Sequence, residues 1–141
     1  MFDIEMLSLK EVSILVDAGL VVLIWLIQLV VYPSFSFYSK DNLITWHSSY
    51  TPRITLVVAP LMIAQLCFSI IYAFQSFDIH QIIYTALVLL TWLSTFFVFI
   101  PIHGSIQNGV FDSKTLKRLV KLNWFRTLTW SVILLMSILS K

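Results

Sequence analysis

The chain reads as an all-α integral membrane protein, a bundle of four spanning helices. Three observations predict this. The sequence is 59% hydrophobic and 11% charged, with a mean hydropathy of +0.91, beyond the range of soluble globular domains. Its apolar residues gather into four stretches, and a hydrocarbon core of about 30 Å takes roughly 20 residues per helix. Nearly every strongly polar residue falls at the joints between those stretches.

Val12 to Phe35 supplies the first span, interrupted by Asp17 and Gln28. Ile54 to Phe74 and Ile82 to Ile102 are uncharged and supply the second and third. Only Thr127 to Ser140 is free of charge in the last stretch, and at about 1.5 Å per residue that run is too short to cross. The fourth span is therefore expected over 122–140, which draws Asn123 and Arg126 into the bilayer edge. All four belong to a single domain covering 1–141. Asp3, Glu5 and Lys10 precede the first span and no small-residue cleavage site follows it, so no cleavable signal peptide is expected. Cys67 lies mid-span and has no second cysteine to pair with; it is read as a small buried hydrophobe.

Lys40, Arg53, Lys114, Lys117, Arg118, Lys121 and Arg126 cluster at the first and third joints, against Lys10 and Lys141 on the other side. The positive-inside rule then puts both basic joints in the cytoplasm and both termini outside, across the cell (inner) membrane. With a net charge of +2 the basic face is first an orientation signal, and nucleic acid binding has no support.

The two halves echo one another. Tyr32-Pro33 and Ile100-Pro101 each close a span, and Arg53-Ile54-Thr55 and Arg126-Thr127-Leu128 each open the next. An Asp and an amphipathic stretch lie in both connections, at Asp41 and Asp112, with Ser113 to Thr115 starting the second. Two parallel two-helix hairpins are the natural reading.

The inner ends of the helices carry the candidate site: His47, Tyr50, Arg53, His103, Asn123 and Arg126. Polar groups at membrane depth are costly unless they pair or line a wet cavity, so they mark a site. His47 and Tyr50 share a face, on a short interfacial helix if Pro52 opens the second span. Trp92, Phe96, Phe99 and His103 form a stripe at helical spacing, with Gly104 free to turn at positive φ. Arg53 and Arg126 can clamp a carboxylate or phosphate. Asn123, Arg126, Thr127 and Trp130 share another face. Asp17, Gln28 and Gln65 are polar groups within the spans, Asp17 and Gln28 sharing a face eleven residues apart; the alternative for Asp17 is a marker of the outer boundary, and His80 is read as a solvated loop residue.

Pro101-Ile102-His103, a short loop, and Asn123-Trp124-Phe125-Arg126-Thr127 together resemble the family of small four-span membrane proteins related to the anthrone oxygenases. The likeness covers about the last forty residues; the family more often has Asn where this chain has His103. The resemblance implies a four-helix membrane bundle and, in the characterised branch, oxygenation of an activated aromatic substrate.

Three functions are then open. The first is an oxidoreductase or oxygenase-like protein, with His47 and His103 as acid–base groups or as ligands to haem b or a transition metal. Arg53 and Arg126 would hold an anionic group, and the partner is a small hydrophobic or anionic ligand. The second is a homo-oligomeric channel or transporter, since one four-helix unit encloses little of a pore. The third is an accessory subunit of a membrane complex.

Overall fold

The structure is a computed structural model and describes residues 7–140. Asp3, Glu5 and Lys141, which bear on the orientation of the chain, lie outside the described residues. The fold is an all-α four-helix bundle built from α1 (Leu9–Phe37), α2 (Lys40–Gln75), α3 (Ile79–Gln107) and α4 (Ser113–Leu139). Each is long and apolar enough to cross a membrane. Each helix packs on the next, and α4 closes the ring against α1.

All four helices overrun the expected spans, because local capping lets them extend past the apolar stretches. Ser8 opens α1 with a capping box: its hydroxyl accepts from the Glu11 N–H at 3.2 Å, and the Glu11 carboxylate accepts from the Ser8 N–H at 2.7 Å. At α4 the Asp112 carboxylate accepts from the Thr115 N–H at 2.8 Å. The amphipathic stretch that begins at Ser113 is thus continuous with the last helix, which starts there and not at the expected 122, and Asn123 and Arg126 lie well inside it.

The first connection corrects the sequence reading most. No separate interfacial helix exists there. Ser39 caps α2, and the helix runs through Pro52 and Pro60 without interruption, so only Tyr38 and Ser39 separate α1 from α2. His47, Tyr50 and Arg53 therefore sit in the opening turns of a spanning helix. Gly104 is also not a turn residue. It lies inside α3, and the positive φ of 70° in the α3–α4 connection belongs to Gly109. A Cβ there would also stand 3.3 Å from Ile44.

The echo between the halves extends to backbone detail. α1 contains a π turn over Ile27–Val31 and α3 one over Thr95–Phe99. Each is followed by one residue and then by proline, Pro33 or Pro101. Proline clashes with the carbonyl four residues back, and the wider turn relieves it. The signature bonds are Tyr32 N–H to Ile27 O and Ile100 N–H to Thr95 O. The extra residue also rotates the side chains around it. Phe99 turns inward to 3% exposure while Phe96 stays outside and stacks on Trp92 at 5.6 Å. The expected four-residue stripe is therefore split.

The core alternates apolar and polar layers. Leu20, Ile24, Val88 and Ile133 are buried to 1% or less. Leu15, Val22, Leu56, Phe97 and Leu135 face outward, as lipid-facing positions do. Cys67 belongs to that outer surface rather than to the core. Asp17 is a polar group within the span and not a boundary marker: it is buried at 1% exposure inside the bundle. Its carboxylate accepts from Gln65 Nε2 at 2.6 Å, from the Tyr84 hydroxyl at 3.1 Å and from the Ser137 hydroxyl. Residues from all four helices thus converge on one acid.

Candidate functional site

At the end of the bundle that carries the α1–α2 and α3–α4 connections, a cavity of about 380 Å³ opens between α2 and α3. His47, Tyr50, His103 and Arg126 line it. The structure thus brings four of the six sequence candidates together. Arg53 is exposed and lines no part of it; two residues past Thr51, it falls on the opposite side of α2 from the cavity face. Asn123 is fully buried but looks toward α1, where its Nδ2 donates to Gln28 Oε1 at 3.0 Å.

Three further residues complete the constellation. The π turn in α1 swings Tyr32 inward to 4% exposure, and its hydroxyl lies 3.0 Å from His103 Nε2. His103 Nδ1 lies 2.8 Å from His47 Nε2, and His47 Nδ1 lies 3.1 Å from Gln107 Oε1. The Thr51 hydroxyl stands 3.3 Å from the same Nδ1. One assignment of protons satisfies every bond in the line. Tyr32 O–H donates to His103, His103 Nδ1–H donates to His47, and His47 Nδ1–H donates to the Gln107 carbonyl oxygen. Gln107 follows His103 by one helical turn, the signal by which it could have been found. Tyr32 was visible only as the residue before a proline.

That line decides what the two imidazoles can hold. A metal or haem iron needs a ring-nitrogen lone pair, and all four ring nitrogens are already partnered. Nor does a third His, Cys, Asp or Glu join them in a group among the described residues. The donor set does not fit haem b or a transition metal.

Arg126 is the other singular feature. It is 5% exposed, with its guanidinium carbon 4.3 Å from the Phe99 ring centre and 4.9 Å from that of Trp130. Its Nε is fully buried without a hydrogen-bond partner. The acidic groups that face it are the phenols of Tyr32 and Tyr50; no carboxylate among the described residues does so. A void of about 10 Å³ behind it is at the lower limit for one water. Leu20, Leu23, Ile24, Ile27 and Val58 form most of its walls, so a water there would lack partners. Aromatic faces replace part of the lost hydration of a buried cation, but a full charge without a counter-ion remains expensive in a low-dielectric medium.

Neither a protein family, nor a curated protein, nor a solved structure matches the chain.

Proposed function

We propose that this protein is a membrane-embedded, oxygenase-like oxidoreductase that works without a resident metal or haem. It binds a small, mainly apolar molecule bearing an acidic phenol or enol. The observation that carries this reading is Arg126, a buried cation without a carboxylate partner at the wall of a cavity. A ligand oxyanion would supply the missing counter-charge, and preorganised charge at a developing anion is the strongest electrostatic device available to a site. Phe99, Tyr50 and Tyr32 provide flat walls for the apolar body.

The hydrogen-bonded line supplies a base. A proton leaving the ligand passes to the Tyr32 oxygen as the Tyr32 proton passes to His103, and the His103 Nδ1 proton passes to His47. The ligand is left as an anion against Arg126, and the imidazole pair carries one added proton toward Gln107, which is exposed. Anions of this kind react with dioxygen, a co-substrate soluble in the bilayer. In balance, a methylene compound and one dioxygen give a carbonyl compound and one water. The resemblance to the anthrone oxygenase relatives supports the same class of chemistry. The positive-inside rule supports a cytoplasmic site, with both termini outside.

The test is dioxygen uptake by the protein in lipid nanodiscs supplied with anthrone, followed by product analysis. Uptake with formation of the quinone, lost in Arg126→Gln and strongly reduced in Tyr32→Phe, is the expected result. Uptake no faster than empty nanodiscs would end the enzymatic reading.

A further inference from the structure

The cavity has an open side, and that side lies on the exposed apolar surface of the bundle. All the lining that α1 and α4 contribute, Ile27, Tyr32 and Arg126, is buried, as are His47, Tyr50 and Phe99 from α2 and α3. Its exposed or half-exposed rim comes only from α2 and α3: Thr55, Val58, Thr95 and Ile100 among others. Ile100 is 53% exposed, and the residues flanking the rim, Leu56, Phe96 and Phe97, are 78%, 52% and 75% exposed. These belong to the uncharged parts of the spans, not to the connections. A Cβ placed on Gly104, at the inner edge of the opening, would meet no atom within 4 Å. The gap between the helices therefore runs from the basic end down into the lipid-facing surface.

We infer that this gap is a lateral portal, and that the ligand is a membrane-dissolved amphiphile. Its acidic hydroxyaromatic head reaches Arg126 while its hydrocarbon chain lies between α2 and α3. The inference rests on the proposed acid-binding site and adds the route and the tail. Two features carry it together. The cation at the inner wall demands an acidic head, and within the spans the rim carries isoleucine and valine with no charged side chain, the polar His103 and Gln107 lying at its basic end. A tail-less anion can enter from the basic end, past Gln107, whereas a lipid-anchored one slides in along the apolar part of the rim without exposing its chain.

The experiment uses the full chain in nanodiscs with two chromophoric probes, 4-nitrophenol and its 2-pentadecyl derivative, whose phenolate absorbance reports the bound anion. Stopped-flow absorbance follows capture by the parent protein, by Ile100→Trp, which narrows the portal, and by Arg126→Gln. Both probes should bind the parent protein and neither should bind Arg126→Gln. Ile100→Trp should slow capture of the tailed probe severalfold and leave 4-nitrophenol unchanged. Equal slowing of both probes, or of neither, overturns the portal while the acid site stands. Absence of binding by either probe to the parent protein overturns the portal together with the site.

Discussion

The guanidinium of Arg126 lies over the Phe99 ring, its central carbon 4.3 Å from the ring centre. The two residues come from neighbouring helices, α4 and α3, and the contact exists because the π turn before Pro101 rotates Phe99 into the bundle. The contact is a device for keeping a charge where a charge is unfavourable.

Arg126→Met should therefore stabilise the empty protein while abolishing ligand binding. Replacing an uncompensated buried charge by an apolar side chain of similar length gains on the order of 1–3 kcal/mol. Thermal unfolding of both proteins in the same detergent measures it. A lower midpoint for Arg126→Met would show that the cation is structural.

Asp17 holds the opposite half of the bundle together. Asp17→Ala leaves the Gln65 amide and the Tyr84 and Ser137 hydroxyls without their shared acceptor. Stranding buried donors costs about 1–3 kcal/mol each, so the loss should be among the largest for any single substitution here. Asp17→Asn keeps a carbonyl oxygen and should recover part of it. Unfolding in mixed micelles of increasing SDS fraction compares the three proteins.

The assigned direction of the Tyr32–His103–His47 line makes a spectroscopic prediction. Both imidazoles should show protonated Nδ1 and acceptor Nε2 in ¹⁵N NMR spectra of the neutral protein. Tyr32→Phe frees the His103 Nε2 lone pair toward the cavity, and reaction of that imidazole with diethylpyrocarbonate should accelerate. Unchanged reactivity would mean that Tyr32 does not cover it.

Gly104 is helical with open space where a Cβ would go. Gly104→Ala should stabilise the protein by about 0.5–1 kcal/mol through the backbone alone. Gly104→Leu should keep that stability and lose ligand affinity, because its side chain enters the cavity. A melt and a binding titration on each variant separate the two effects.

The Asp112 cap titrates outside the membrane-spanning segments. Hydrogen bonds from the Thr115 N–H and hydroxyl hold its carboxyl below the ordinary aspartate range. A carboxyl lowered in the folded state stabilises above its unfolded value of about 3.9 and loses that contribution as pH falls through the folded value. The start of α4 should accordingly fray in acid below about pH 4. Amide exchange at Thr115 and Leu116 should rise there in the parent protein and be already high at neutral pH in Asp112→Ala.

What the sequence determined by itself was the class of fold and the depth of its polar residues. Hydropathy sets four spans because a chain crossing lipid must satisfy its backbone internally, and apolar runs of about 20 residues do so as helices. Asp112 was legible as a cap because capping is local chemistry. The single face shared by Asn123, Arg126, Thr127 and Trp130 was legible because α4 keeps a regular helical period, and all four residues are buried. Tertiary structure alone decided which of these groups meet. Two π turns changed the helical register, so Tyr32 entered the site and Phe96 left the aromatic stripe, and no periodicity argument anticipates an inserted residue. Arg53 and Arg126 occupy matching places in the two halves, yet one faces outward and the other a cavity. That difference depends on which neighbouring helix stands opposite, a fact about packing between segments distant in the chain. Asp17 likewise allows a boundary reading along the chain, and only packing brings Gln65, Tyr84 and Ser137 from three other helices to enclose it.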